Sequence, residues 1–127
     1  MPTSESPAWS DVSAQYQDAH ERYARMRPTM AVMLRLVATL RDDPRIGRVE
    51  MHLSHYNLML WRHPRPTHRV GVLWSQPDGW GWAGETGFVV FIRGPHLEVL
   101  EKVIVDQAAV VDTIVDYLHR VEELESK

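Results

Sequence analysis

The chain contains no cysteine. That excludes disulfides, a thiolate zinc site and a cysteine nucleophile. Lysine is almost as scarce: of the 14 basic residues only Lys102 and Lys127 are lysines. No apolar run approaches the roughly 18 residues that a membrane-spanning helix requires. The opening MPTSESPAWSD lacks the basic and apolar regions of a secretory signal. Neither G-x-x-x-x-G-K-[ST] nor G-x-G-x-x-G occurs, and no nucleophile-elbow sequence surrounds Ser54, Ser75 or Thr86. Together these absences remove the common nucleotide-binding and hydrolase signatures. They point to a cytoplasmic setting with no membrane, no metal and no cofactor.

What is present is an ordinary globular composition, 44% hydrophobic and 24% charged over 127 residues, enough for one compact domain. The charge is unevenly placed. Residues 21–69 hold ten arginines against four acids, whereas residues 70–127 hold ten acids against four bases. Such a dipolar chain suits a partner-facing or self-associating surface.

Residues 1–8 read as a frayed N-terminus. From Trp9 onward Val12, Tyr16, Ala19, Tyr23, Met26, Met30, Met33, Val37 and Leu40 follow at alternating spacings of three and four, an a/d seam. Pro28 removes a backbone donor and crowds the preceding turn. The pattern therefore predicts a helix over 9–26, a kink or break at 27–29 where Thr29 could cap, and a second helix to about 41. Before Pro28 the apolar stripe is narrow, as on an arm. Trp9, Val12, Tyr16, Ala19, Tyr23 and Met26 are thus candidates either for self-association and partner docking or for packing on the chain's own sheet.

The core domain reads as 46–124. Ile46–Leu53 and Tyr56–Trp61 are expected strands, with a turn or bulge at 54–57. Val70–Ser75 and Trp80–Gly84 are expected to fold into a hairpin about Pro77-Asp78-Gly79, with Trp74 opposite Trp82. In that register Trp74, Trp80 and Trp82 share one aromatic face, opposite a low-profile face of Gly71, Gly81 and Ala83. Gly87–Arg93 (GFVVFIR) is the next strand. Leu97–Val105 alternates like a strand but also fits a helix, and its β-branched ending favours the strand. Asp106 is a suitable N-cap for a helix over 107–124. The order of elements defines an α+β fold: a mainly antiparallel sheet of four to six strands packed against helices, with an N-terminal helical arm.

The run Val70-Gly71-Val72-Leu73-Trp74, an acid-containing turn, Gly79-Trp80, Glu85, an apolar strand and a closing helix resembles an uncharacterised actinobacterial domain family. The resemblance extends loosely from Ile46 to Leu118. Asp78 departs from it, standing where those proteins tend to carry His. It implies the fold and a bacterial cytoplasmic setting, and it transfers no activity and no site.

Two groups of residues are candidates for chemistry. Glu50, His52 and His55 form the nearest approach to an acid–base or metal cluster. On a continuous strand Glu50 and His52 share a face that His55 does not, so a bulge at Ser54 is needed to unite them. The stronger candidate is Trp61-Arg62-His63-Pro64-Arg65-Pro66-Thr67-His68-Arg69. Arginine presents a planar fork to carboxylates or phosphates, and proline stiffening lowers the entropy lost on binding. Trp61 beside arginines also suits nucleic acid, but the acidic C-terminal half and a pI near 6.1 oppose that partner. The expectation is a homodimeric protein–protein interaction or regulatory module that binds a partner protein through its arm and its Arg-rich loop. The alternative is a small-molecule-binding protein or small enzyme with an aromatic pocket and a His general base, perhaps in secondary metabolism.

Overall fold

A computed structural model describes residues 7–76 and 80–126. Two antiparallel helices come first, α1 (Pro7–Arg22) and α2 (Arg27–Asp42). The seam is folded in half at this point rather than continued: α1 stops at Arg22, four residues before the expected end, and the chain reverses through 23–26. Pro28 occupies the first turn of α2, where its missing N–H leaves no bond unmade. Arg27 Nε donates to the His20 carbonyl at 3.0 Å across the corner. Thr29 does not cap α2, because its hydroxyl donates instead to the Trp80 carbonyl at 2.8 Å.

Folding the seam buries it. Trp9, Val12, Tyr16, Ala19 and Met26 join Met30, Met33, Val37 and Leu40 in one core with the sheet, and only Tyr23 remains half exposed. The arm that the narrow stripe suggested is thus an internal helix, packed on α2 and on the first strand.

The sheet is an antiparallel meander of β1 (Glu50–Ser54), β2 (Asn57–Trp61), β3 (Arg69–Ser75), β4 (Gly87–Arg93) and β5 (Val99–Val105), in that spatial order. The strand reading of 97–105 holds from Val99 on, and α3 (Val110–Glu125) closes the chain. The expected first strand is shorter, starting at Glu50 instead of Ile46.

The predicted hairpin is corrected. Trp80–Gly84 is an irregular loop, and β3 pairs directly with β4, so that Trp74 lies opposite Phe88 and Ser75 opposite Gly87. The expected turn at 77–79 falls outside the described residues. The reason lies in what each segment can bury. β4 carries Phe88, Val90 and Ile92 on one face and Val89 and Phe91 on the other, as a central strand requires. Gly-Trp-Gly-Trp-Ala-Gly has almost nothing for its second face, and Gly84 sits at φ +78.

All three helices cover one face of the sheet, over Met51, Leu58, Leu60, Val70, Val72, Phe88, Val90 and Ile92. The β1–β2 turn is made by His55 and Tyr56, at φ +52 and +67. Side chains in this left-handed region cost about 1 kcal/mol or more each. The Tyr16 hydroxyl donates to the Tyr56 carbonyl at 2.9 Å, and Trp80 Nε1 donates to the His55 carbonyl at 3.4 Å. The strained turn is held from both sides.

Candidate functional site

No helix covers the second face of the sheet, yet Met59, Val89 and Phe91 are fully buried there. The loop 80–86 folds over this face. Trp82 stacks on Phe91 with ring centroids 5.0 Å apart, and its Nε1 donates to Asn57 Oδ1 at 3.0 Å. Ser75 Oγ shapes the loop by accepting the Trp82 N–H at 2.7 Å. Lys102 closes the edge, lying 5.3 Å from the Trp82 ring and pairing with Glu85 at 2.8 Å. Gly71 is required beneath: a Cβ there would lie inside the Phe91 ring's van der Waals envelope.

The three tryptophans therefore do not form one aromatic face. Trp74 points to the helix side, edge-on to Phe88 at 4.9 Å. Trp80 packs edge-on to Tyr56 at 6.0 Å, and Trp82 lies on the opposite face of the sheet from Trp74.

The Arg-rich loop divides by role. Arg62 is an internal brace: it donates to Glu122 on α3 at 2.6 Å and to the carbonyls of Arg45 and Ile46 at 2.7 and 2.8 Å. Glu125 of α3 accepts the N–H groups of Thr67 and His68 at 2.8 and 2.6 Å. Burial pushes the Glu125 carboxyl up, but these N–H bonds outweigh it and hold the group below the usual carboxylate range. His63 and Arg65 lie exposed at the tip.

Arg69 behaves differently. It begins β3 directly opposite Arg93, the last residue of β4. Its guanidinium stacks over Trp61, 4.6 Å from the ring centroid, and His52 meets that ring edge-on at 5.2 Å. Arg93 passes 5.5 Å from the Phe91 centroid and donates to Ser54 Oγ on β1 at 3.1 Å. Because β2 and β3 lie between those residues, the sheet must curl around this face. The Nε atoms of both arginines are buried and have no acceptor, and among the described residues neither arginine has a carboxylate in ion-pairing reach. Both line a cleft of ≈ 260 Å³ between Pro66-Thr67 and Gly94-Pro95.

His52 registers the resulting positive potential. Its pKa is lowered first by burial and then by the charges of Arg69 and Arg93, so the ring is neutral near pH 7. Glu50 and His52 do share a face, as expected, but His55 sits in the turn and the three do not converge. Among the described residues no three His, Asp or Glu side chains are placed to hold a metal ion.

Sequence reasoning found Arg69, Trp61 and His52 but missed Arg93 and Ser54. Arg93 reads only as the polar end of an apolar strand. Its role depends on the β3–β4 register, which the Pro-Asp-Gly signal misassigned.

The fold and site define a class: an α+β domain with a five-stranded antiparallel meander, helices on one face and a cationic, aromatic-lined cleft at the end of the other. No family model, curated protein or solved structure matches the chain. Among the described residues no helix is long and apolar enough to cross a membrane.

Proposed function

We propose that the protein is a small binding module that captures a partner protein through an acidic side chain or terminal carboxylate seated between Arg69 and Arg93. The observation that carries this reading is the facing pair of arginines whose buried Nε atoms lack any acceptor. A buried donor without an acceptor costs about 1–3 kcal/mol, which a carboxylate would recover. Arginine's fixed fork suits that planar group. Nucleic acid fits less well, since the Trp61 ring on which a base would stack is already occupied by Arg69 and His52. Catalysis by His52 lacks an orienting carboxylate, the charges acting on it being those of two arginines.

Titration with a polyglutamate peptide tests the proposal. Arg69→Ala with Arg93→Ala is expected to weaken binding about tenfold or more, the scale of one charge-assisted bond. Arg65→Ala should change it little. Equal affinity for the wild type and the double variant would remove the reading.

Self-association and a bacterial, cytoplasmic setting belong to the same proposal, with the dimer surface relocated. The most exposed aliphatic side chains, Leu97, Val99, Leu100, Ile104 and Leu124, all lie on or beside β5, a sheet edge. Such an edge is a template for a second chain. Sedimentation at high micromolar concentration should show a dimer that Leu100→Lys with Ile104→Lys dissociates, and a monomeric wild type would refute it.

A further inference from the structure

Between α2 and α3, over the ends of β3 and β4, lies a second cavity, of ≈ 250 Å³. Val32 and Leu36 form one wall and Val110 and Val111 the other, with Trp74 and Phe88 beneath. Val110 and Phe88 are buried core residues, so the space enters the core and is not a surface dimple. Polar groups occur only as Arg35, Thr39 and Gln107, and the Thr39 hydroxyl is already committed to the Arg35 carbonyl at 3.0 Å.

One donor in this lining is unused. Trp74 Nε1 is shielded from solvent and has no hydrogen-bond acceptor among the described residues. The backbone N–H of Trp74 is little better served, donating to Met33 Sδ at 3.2 Å. Buried indole N–H groups ordinarily find a partner. Apolar walls, a single orphan donor and the volume together specify a ligand. A cavity of about 150 Å³ suffices for benzene, so this one accommodates a ring with a short substituent.

We propose that the α2–α3 cavity binds a small, mainly apolar molecule, one aromatic ring or its aliphatic equivalent, whose oxygen accepts the Trp74 indole N–H. The site lies on the helix face, opposite the Arg69–Arg93 cleft, and does not depend on the function proposed for that cleft. It also gives the aromatic residue Trp74 a role that the misassigned hairpin obscured.

The test uses the full ¹⁵N-labelled chain and two neutral probes of nearly equal shape, acetophenone and ethylbenzene. Indole N–H resonances are followed, with that of Trp74 assigned from Trp74→Phe. Acetophenone is expected to move the Trp74 resonance saturably, and ethylbenzene to bind about five- to tenfold more weakly, the value of one neutral hydrogen bond. In Trp74→Phe, followed from the ligand's own signals, the two probes should bind alike. Val111→Phe fills the cavity and should abolish binding; where that variant is unfolded, Val32→Phe from the facing wall replaces it. A Trp74 resonance unmoved up to the solubility of acetophenone would overturn the proposal. So would equal affinities for the two probes in the wild type, or unchanged binding in a folded cavity-filling variant.

Discussion

Tyr16→Ala should lower the stability of the protein by about 3–5 kcal/mol, a large share of the roughly 5–15 kcal/mol of a typical domain. Tyr16 is fully buried on the inner face of α1, and burial raises its hydroxyl pKa well above the ordinary value. Its ring fills the junction of α1, α2 and the sheet, so truncation leaves a cavity as well as losing buried area. Its hydroxyl holds the Tyr56 carbonyl, and Tyr56 stands at φ +67 in the β1–β2 turn. Tyr16→Phe isolates that second contribution: it leaves a carbonyl without its donor and should cost about 1–2 kcal/mol. Urea denaturation of the two variants separates packing from turn support. It also tests the placement of α1, because a free docking arm would tolerate either change with no loss of stability.

Arg62→Ala should cost about 2–4 kcal/mol, although it lies in a loop whose other arginines are expendable to the fold. Its side chain is 23% exposed and bridges three acceptors: a carboxylate of α3 and two carbonyls of the segment before β1. Hydrogen bonds to a charged group contribute about 1.5–3 kcal/mol, and removing the donor strands its acceptors. Arg62→Lys should recover little, since an ammonium on a flexible stem does not reproduce the planar fork. Arg65→Ala, at the exposed tip, should stay within about 0.5 kcal/mol of wild type. Thermal or urea unfolding checks all three. The ranking matters for function too: a variant lacking Arg62, Arg65 and Arg69 together would confuse loss of binding with loss of fold. Arg69 and Arg93 are the pair to change.

The contrast between Arg62 and Arg69 shows where local reasoning stops. Both sit in one Pro-interrupted basic stretch, and nothing in their immediate neighbours distinguishes them. Arg62 acquires its partners from residues 45, 46 and 122, and Arg69 faces Arg93. The same holds for Trp74 and Trp82. Their turn signal is a real local preference, but it competes with the larger burial available to β4, and burial prevails.

The sequence by itself determined the α+β class, the helical character of 9–41 with its interruption at Pro28, the strands at 57–61, 70–75, 87–93 and 99–105, and the closing helix. These follow from periodicity, proline chemistry and apolar runs, which act over a few residues. Only the tertiary structure decided that the helical seam folds in half and is buried, that β3 pairs with β4, and that Arg69 and Arg93 meet without an acid. Those outcomes depend on which distant surfaces exclude water together, and on which charges burial then leaves without partners.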